Sequence, residues 1–143
     1  MTSPDGPKDF VASDFMIRNP VVAELWQPVS LIRQTLLINS FSYLPVIVGE
    51  GGNKSFHLIA DFAVTRYLRT AKDTNPEESL AIPLAEILNV PGGLATTPAV
   101  CLCDASEAIS TVITRLSGEP VLVVDNLEKP TRLEGILTAY DLL

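Results

Sequence analysis

Thr138 and Asp141 stand three residues apart where an apolar stretch, Gly135-Ile136-Leu137, gives way to Ala139-Tyr140-Asp141-Leu142-Leu143. A hydroxyl and a carboxylate at a strand-to-helix junction have two roles open to them. A carboxylate can accept two hydrogen bonds from a vicinal diol, and the free N–H groups of a helix N-terminus receive anions. The same spacing is that of a helix cap, with Thr138 at the N-cap and Asp141 favoured in the first turn by the helix dipole. An earlier stretch, His57-Leu58-Ile59-Ala60-Asp61-Phe62-Ala63-Val64, has the same layout with alanines at the two polar positions. The chain therefore reads as one unit written twice, with both polar groups kept in one copy.

The other reactive groups are few. Cys101 and Cys103 lie two apart on a predicted strand and so share a face. A closed zinc site takes about four ligands, and the single histidine is His57. Two buried free thiols in a reducing compartment are expected, and no metal site. A thiol oxidoreductase would instead need these cysteines exposed and acidic. No nucleophile–base pair stands out, so the chain is expected to be no enzyme and to require no cofactor.

Ten basic residues against seventeen acidic ones give a net charge of −7. Nucleic-acid binding draws on phosphate neutralisation, so this balance argues against it, while leaving room for a small anionic ligand. Hydrophobic residues make up 47% and charged residues 19% of the 143, an ordinary globular balance. The apolar runs are too short to cross a bilayer, and MTSPDGPKDF lacks a signal-peptide core. A soluble cytoplasmic protein without membrane insertion is expected.

The elements that must position Thr138 and Asp141 repeat at an offset of 78 residues: Pro20 matches Pro98, Val22 matches Val100, Leu31 matches Ile109, and Leu58-Ile59 matches Ile136-Leu137. The second copy is three residues shorter before its middle strand, since Pro45 falls opposite Pro120. Each copy reads strand, helix, strand, strand, helix. Val21–Glu24 and Ala99–Leu102 are the opening strands. Residues 28–39 carry Val29, Ile32, Leu36 and Leu37 at helical spacing, and Ala105, Ala108, Ile109, Val112 and Leu116 repeat the stripe. Pro45–Val48 and Val121–Val124 are continuous apolar runs, as for strands buried on both faces. Asp61–Arg69 is a helix, and Pro83–Leu88 a short one. The expected divisions are a tail at 1–9, repeat 1 at 10–70, a linker at 71–81, and repeat 2 at 82–143, cut short at its last helix. The chain is thus expected to be a piece of a longer protein.

This ordered set resembles the tandem CBS-domain pair, or Bateman module. The matching motifs are Phe15-Met16-Ile17-Arg18-Asn19-Pro20-Val21 and Ser42-Tyr43-Leu44-Pro45-Val46-Ile47 in the first copy. In the second they are Glu119-Pro120-Val121-Leu122-Val123-Val124-Asp125 and Gly135-Ile136-Leu137-Thr138-Ala139-Tyr140-Asp141. The resemblance covers nearly everything from Phe10 to Leu143. It implies an α/β fold of two pseudo-symmetric β-α-β-β-α repeats packed sheet to sheet in one globular module. It also implies homodimers through CBS–CBS contacts, and control of an attached effector domain or a partner protein. The implied function is regulatory sensing of an adenosine-containing ligand: AMP, ADP, ATP or S-adenosylmethionine. The alternative is a ligand-free dimerisation or protein-interaction module.

By the same resemblance, Asp141 would hold ribose hydroxyls, Thr138 would face phosphates, and Ile136 would line the same site. The other half of this composite site would be Asn19, Val21, Glu24, Phe41 and Ser42, with Phe41 and Val21 sandwiching an adenine and Arg18 reaching a phosphate. Glu24 departs from the pattern, since its charge would repel phosphates if it pointed inward. In the opposite cleft Ala60 and Ala63 replace the hydroxyl and the carboxylate, His57 replaces a glycine, and the turn Ser117-Gly118-Glu119 is the shortened one. One potential site per module is expected.

Overall fold

The computed structural model describes residues 10–49, 53–70, 75–97, 101–116 and 118–142. The expected tail at 1–9, the linker residues 71–74, Ala99, Val100 and Ser117 lie outside them. The fold is α/β and divides into two compact units, one drawn from Val21–Ala99 and the other from Met1–Pro20 with Val100–Leu143.

In the unit Val21–Ala99, helix α1 (Val29–Ile38) buries Val29, Ile32 and Leu36, the apolar stripe of its sequence. It ends where Asn39 Nδ2 donates to the Thr35 carbonyl and Ser40 turns left-handed, at φ 53°. Strands β2 (Tyr43–Val48) and β3 (Ser55–Ala60) form an antiparallel hairpin, in register from Tyr43↔Ala60 to Val48↔Ser55. The strand expected at Val21–Glu24 is reduced to one parallel bridge, Ala23↔Val46. Helix α2 (Asp61–Thr70) follows β3 directly and turns Val64 and Tyr67 inward.

The linker expected at 71–81 is helical from Pro76: α3 (Pro76–Ala81) starts where Asn75 accepts a hydrogen bond from the Glu77 N–H at 3.0 Å, with Pro76 in the first turn. A polar KDTNPEES segment thus conceals an N-cap signal. Helix α4 (Leu84–Ile87) is pinned to the start of α1, since Val29 N–H donates to Ile82 O and Leu84 N–H to Gln27 O. Val29, Ile32, Leu44, Val46, Ile59, Val64, Leu84 and Leu94 form the core. A loop from Asn89 to Thr97 closes the unit. Gly93 is required there, because a Cβ would collide with the Ile87 carbonyl oxygen.

The other unit holds a four-stranded sheet in the order β1 (Ile17–Arg18), β6 (Leu133–Leu137), β5 (Val121–Val124), β4 (Cys101–Asp104). The β4–β5 pair is parallel and the other two are antiparallel. Strand β5 is buried along its whole length, as its apolar run predicts. Helix α5 (Ile109–Ile113) is shorter than the expected stripe from Ala105 to Leu116. Its would-be first turn is held otherwise: Asp104 Oδ1 accepts from the N–H and hydroxyl of Ser106 at 2.8 and 2.7 Å. Such a side-chain turn competes with helix. The N-terminal segment docks on this stretch, with Ala12 N–H donating to Glu107 O, Ser13 N–H to Ala105 O and Ile109 N–H to Phe10 O. Ala12, Cys103, Val112, Val121, Val123 and Leu137 form the core.

Repeat and compact unit are therefore different partitions of the chain. The leading segment of each repeat, 10–20 or 82–97, folds into the unit that carries the body of the other.

Candidate functional site

Strand β6 ends at the fully buried Leu137, and Thr138 opens a 3-10 turn, Ala139–Leu142. The turn is set by Asp141 N–H donating to the Thr138 carbonyl at 3.1 Å. Asp141 Oδ2 in return accepts from the Thr138 N–H at 2.7 Å and from its hydroxyl at 3.1 Å. The pair is thus a cap, the local role that its spacing allows. Among the described residues no donor reaches Oδ1. An ionised carboxylate offers about four acceptor positions, so the cap leaves Asp141 able to accept a diol. Capping and ligand binding are compatible at this residue.

Ile136, Arg18 and Asn19 belong to the same unit. Strand β1 lies beside β6 in the register Ile17↔Ile136 and Arg18↔Gly135. A Cβ at Gly135 would meet the Met16 side chain and the Ile17 carbonyl, so the glycine permits this close pairing. The antiparallel register carries Arg18 and Asn19 away from Thr138. Gly135 lies three residues before Thr138, about 10 Å at strand spacing. The Arg18 guanidinium is turned to the Ser13 carbonyl at 3.3 Å, and Asn19 is left-handed at φ 50°. Within this unit, then, neither accompanies the Thr138–Asp141 cap.

Val21, Glu24, Phe41 and Ser42 belong to the unit Val21–Ala99. The parallel bridge Ala23↔Val46 places Val21 opposite Leu44, near the start of β2 that Phe41 and Ser42 lead into. Val21 is exposed, Phe41 is half-buried against the core, and Ser42 accepts the Asp61 N–H through its carbonyl. The Glu24 carboxylate accepts from the indole N–H of Trp26 at 2.7 Å.

The cysteines are not alike. Cys103 is fully buried, but Cys101, at the first residue of β4, is exposed rather than buried beside it. Burial pushes the Cys103 thiol up to about 11, with Glu107 adding to the shift. It is a neutral thiol at physiological pH. Glu107 itself is paired to Arg115 at 2.6 Å, and Arg115 also donates to the Leu102 carbonyl. Among the described residues no cluster of three or more His, Cys, Asp or Glu could hold a metal ion, and no helix is long and apolar enough to cross a membrane.

Around α2, beside the Ala60 and Ala63 of the opposite cleft, stand residues that the sequence reading did not name: Arg66, Tyr67, Thr96 and Thr97. Ala60, Ala63, Arg66, Tyr67, Thr96 and Thr97 are among the residues lining a cavity of about 360 Å3 within the unit Val21–Ala99. The wall at Thr96 is fixed by polar bonds: its N–H donates to Asn89 Oδ1 at 2.9 Å, Asn89 Nδ2 donates to its hydroxyl, and His57 Nδ1 lies 2.8 Å from that hydroxyl. Burial lowers the His57 pKa below its ordinary value. A neutral His57 whose Nδ1 accepts from the Thr96 hydroxyl satisfies this set. The sequence signal for the cavity is the small-residue pair Ala60 and Ala63, which reads there only as missing polar groups.

No family model matches the sequence, and no curated protein matches it. Solved structures do match. The AcuB protein of Vibrio cholerae superposes with a TM-score of 0.68 at 13% identity, over 93% of this chain and 87% of that one. The CBS domain pair of MJ0100, solved with 5-methylthioadenosine and S-adenosyl-L-methionine, gives 0.62 at 20% identity, over 94% of both chains. CBSX2, solved with AMP, gives 0.59 at 17% identity, over 93% of both. With its twice-written strand–helix pattern and this likeness along almost its whole length, the chain has the fold of a tandem CBS-domain pair.

Proposed function

We propose that this chain is a regulatory module that senses an adenosine-containing ligand and controls an attached or partner protein. The observation that carries the reading is the Asp141 carboxylate, held at a strand end by two bonds to one oxygen and left with Oδ1 to accept a ribose diol. The CBS-pair fold supports it, as do the similar structures solved with AMP or with S-adenosyl-L-methionine and 5-methylthioadenosine. In this reading Thr138 and Asp141, at the end of the strand that carries Ile136, hold the ligand's ribose. The module works in the cytoplasm as a homodimer through CBS–CBS contacts, without catalysis.

A thermal-shift panel of AMP, ADP, ATP and S-adenosylmethionine tests this directly. A ligand at 100 times its dissociation constant adds about 2.7 kcal/mol to stability. Asp141→Ala is expected to cost about 1.5–3 kcal/mol of binding, the range for a charged hydrogen bond, or roughly ten- to a hundredfold in affinity. Unchanged nucleotide affinity in Asp141→Ala would show that the site is assigned wrongly.

The second reading is a ligand-free interaction module. The exposure of Leu37 and Ile38, at 64% and 72%, favours it. No stabilisation by any of the four ligands, together with concentration-dependent self-association, would select it.

A further inference from the structure

Strand β4 is the last in its sheet: it pairs with β5 along Cys101–Asp104, and among the described residues no strand lies on its other side. An open edge of this kind, apolar at Cys101, Leu102 and Cys103, invites a strand from another chain unless something blocks it. Leu102 and Asp104 stand two apart and turn their backbone groups to the same side. There the Leu102 carbonyl accepts from the Arg115 guanidinium at 3.2 Å, and the Asp104 N–H donates to Glu107 Oε1 at 3.4 Å. The two side chains are joined to each other, Arg115 Nη1 to Glu107 Oε2 at 2.6 Å. These contacts run from one backbone group to the other, so the pair spans the edge. Just past β4, the N-terminal segment takes up the carbonyls of Ala105 and Glu107.

Stability alone accounts poorly for this ion pair. Glu107 Oε2 is buried, and a charge withdrawn from water loses about as much in hydration as its partner returns. The first copy of the repeat supplies a contrast. At the offset of 78 it has Val29 and Leu37 in place of Glu107 and Arg115, and its opening strand is a single bridge, Ala23↔Val46. The ion pair thus accompanies the copy that has an edge to cover. That edge is also self-complementary. A two-fold axis at Cys103 sets Leu102 of one copy opposite Asp104 of another, so that carbonyl meets N–H on both sides. We propose that Glu107 and Arg115 form an autoinhibitory clasp on β4, holding shut a strand-pairing surface whose partner is β4 of a second copy of this chain. With the clasp open, two copies join edge to edge, an association distinct from the CBS–CBS homodimer.

The test is sedimentation velocity of the full chain carrying Glu107→Gln together with Arg115→Met, which removes both charges and leaves neither buried alone. The double variant is expected to self-associate roughly tenfold or more tightly than the parent chain, the worth of the backbone hydrogen bonds regained. Its infrared spectrum should gain the band of intermolecular β-sheet. Arg115→Lys, which can still donate to Leu102 and pair with Glu107, should sediment as the parent does. Gly135→Ala, on β6 and two strands from this edge, separates opening of the clasp from partial unfolding and should gain no such band. A folded double variant that sediments like the parent overturns the proposal, as does an equal gain in Gly135→Ala. If the double variant does not fold, amide exchange in the intact chain decides. The Asp104 N–H should then exchange about tenfold or more slowly than a free amide, and exchange at the free rate would mean that no clasp is in place.

Discussion

At Thr138 the backbone N–H and the hydroxyl converge on one oxygen of Asp141, much as the Val11 N–H meets Asp14 Oδ2 at 2.8 Å. Spacing in the sequence marks the first of these caps; the second has no hydroxyl to advertise it. His57 shows the limit of such local reading. Its partner Thr96 is 39 positions away, and nothing near His57 names it. Because burial lowers its pKa, the folded state binds fewer protons than the unfolded state between the two values. The His57 contribution to stability is therefore complete above the ordinary value of about 6.5 and is lost as pH falls through the lower, folded-state value. An NMR titration of the His57 ring should give a midpoint below about 6.5, with the Thr96 amide moving in step. A midpoint at or above the ordinary value would mean that the ring is not buried against this wall.

Among the elements, those with strong periodicity are legible and those decided by neighbours are not. Helices α1 and α2 and strands β2, β3 and β5 follow their apolar patterns. Helix α5 is truncated because Asp104 and Ser106 form a turn, and the N-terminal segment takes up the backbone around Ala105 and Glu107. Helix α3 sits in a segment whose polarity suggests a linker, although Asn75-Pro76 with Glu77 and Glu78 is a good helix start. The pairing of β1 with β6 depends on one glycine. Gly135→Ala should destabilise the protein by about 1–3 kcal/mol through overpacking against Met16. Denaturant unfolding measures this. Combining it with Met16→Ala should cost less than the sum of the two single changes, since the added methyl then meets less resistance.

Over the whole molecule, the exchange of leading segments ties distant parts of the chain together. Ala12 is fully buried in the same cluster as Cys103, although 91 positions separate them (103 less 12). Deleting residues 1–20 should therefore lower the melting temperature and open this cluster. Thiol labelling reports it: the intact chain should react at once at exposed Cys101 and slowly at Cys103, and the truncated chain should react quickly at both. A Cys103 as slow in the truncated chain as in the intact one would mean that the segment is dispensable to that core.

The sequence by itself determined the repeat, the order of most elements, the resemblance to a CBS-domain pair, and Thr138–Asp141 as a pair with capping geometry. All of these rest on periodicity or on spacings within one turn or one strand. Only the tertiary structure decided that the leading segments change units, that Cys101 and Cys103 differ in exposure, and that Arg18 and Asn19 lie along β6 away from Thr138. It alone also placed a cavity beside Ala60 and Ala63. Each of these follows from contacts between residues far apart in the chain, which depend on register and packing and leave no local pattern to read.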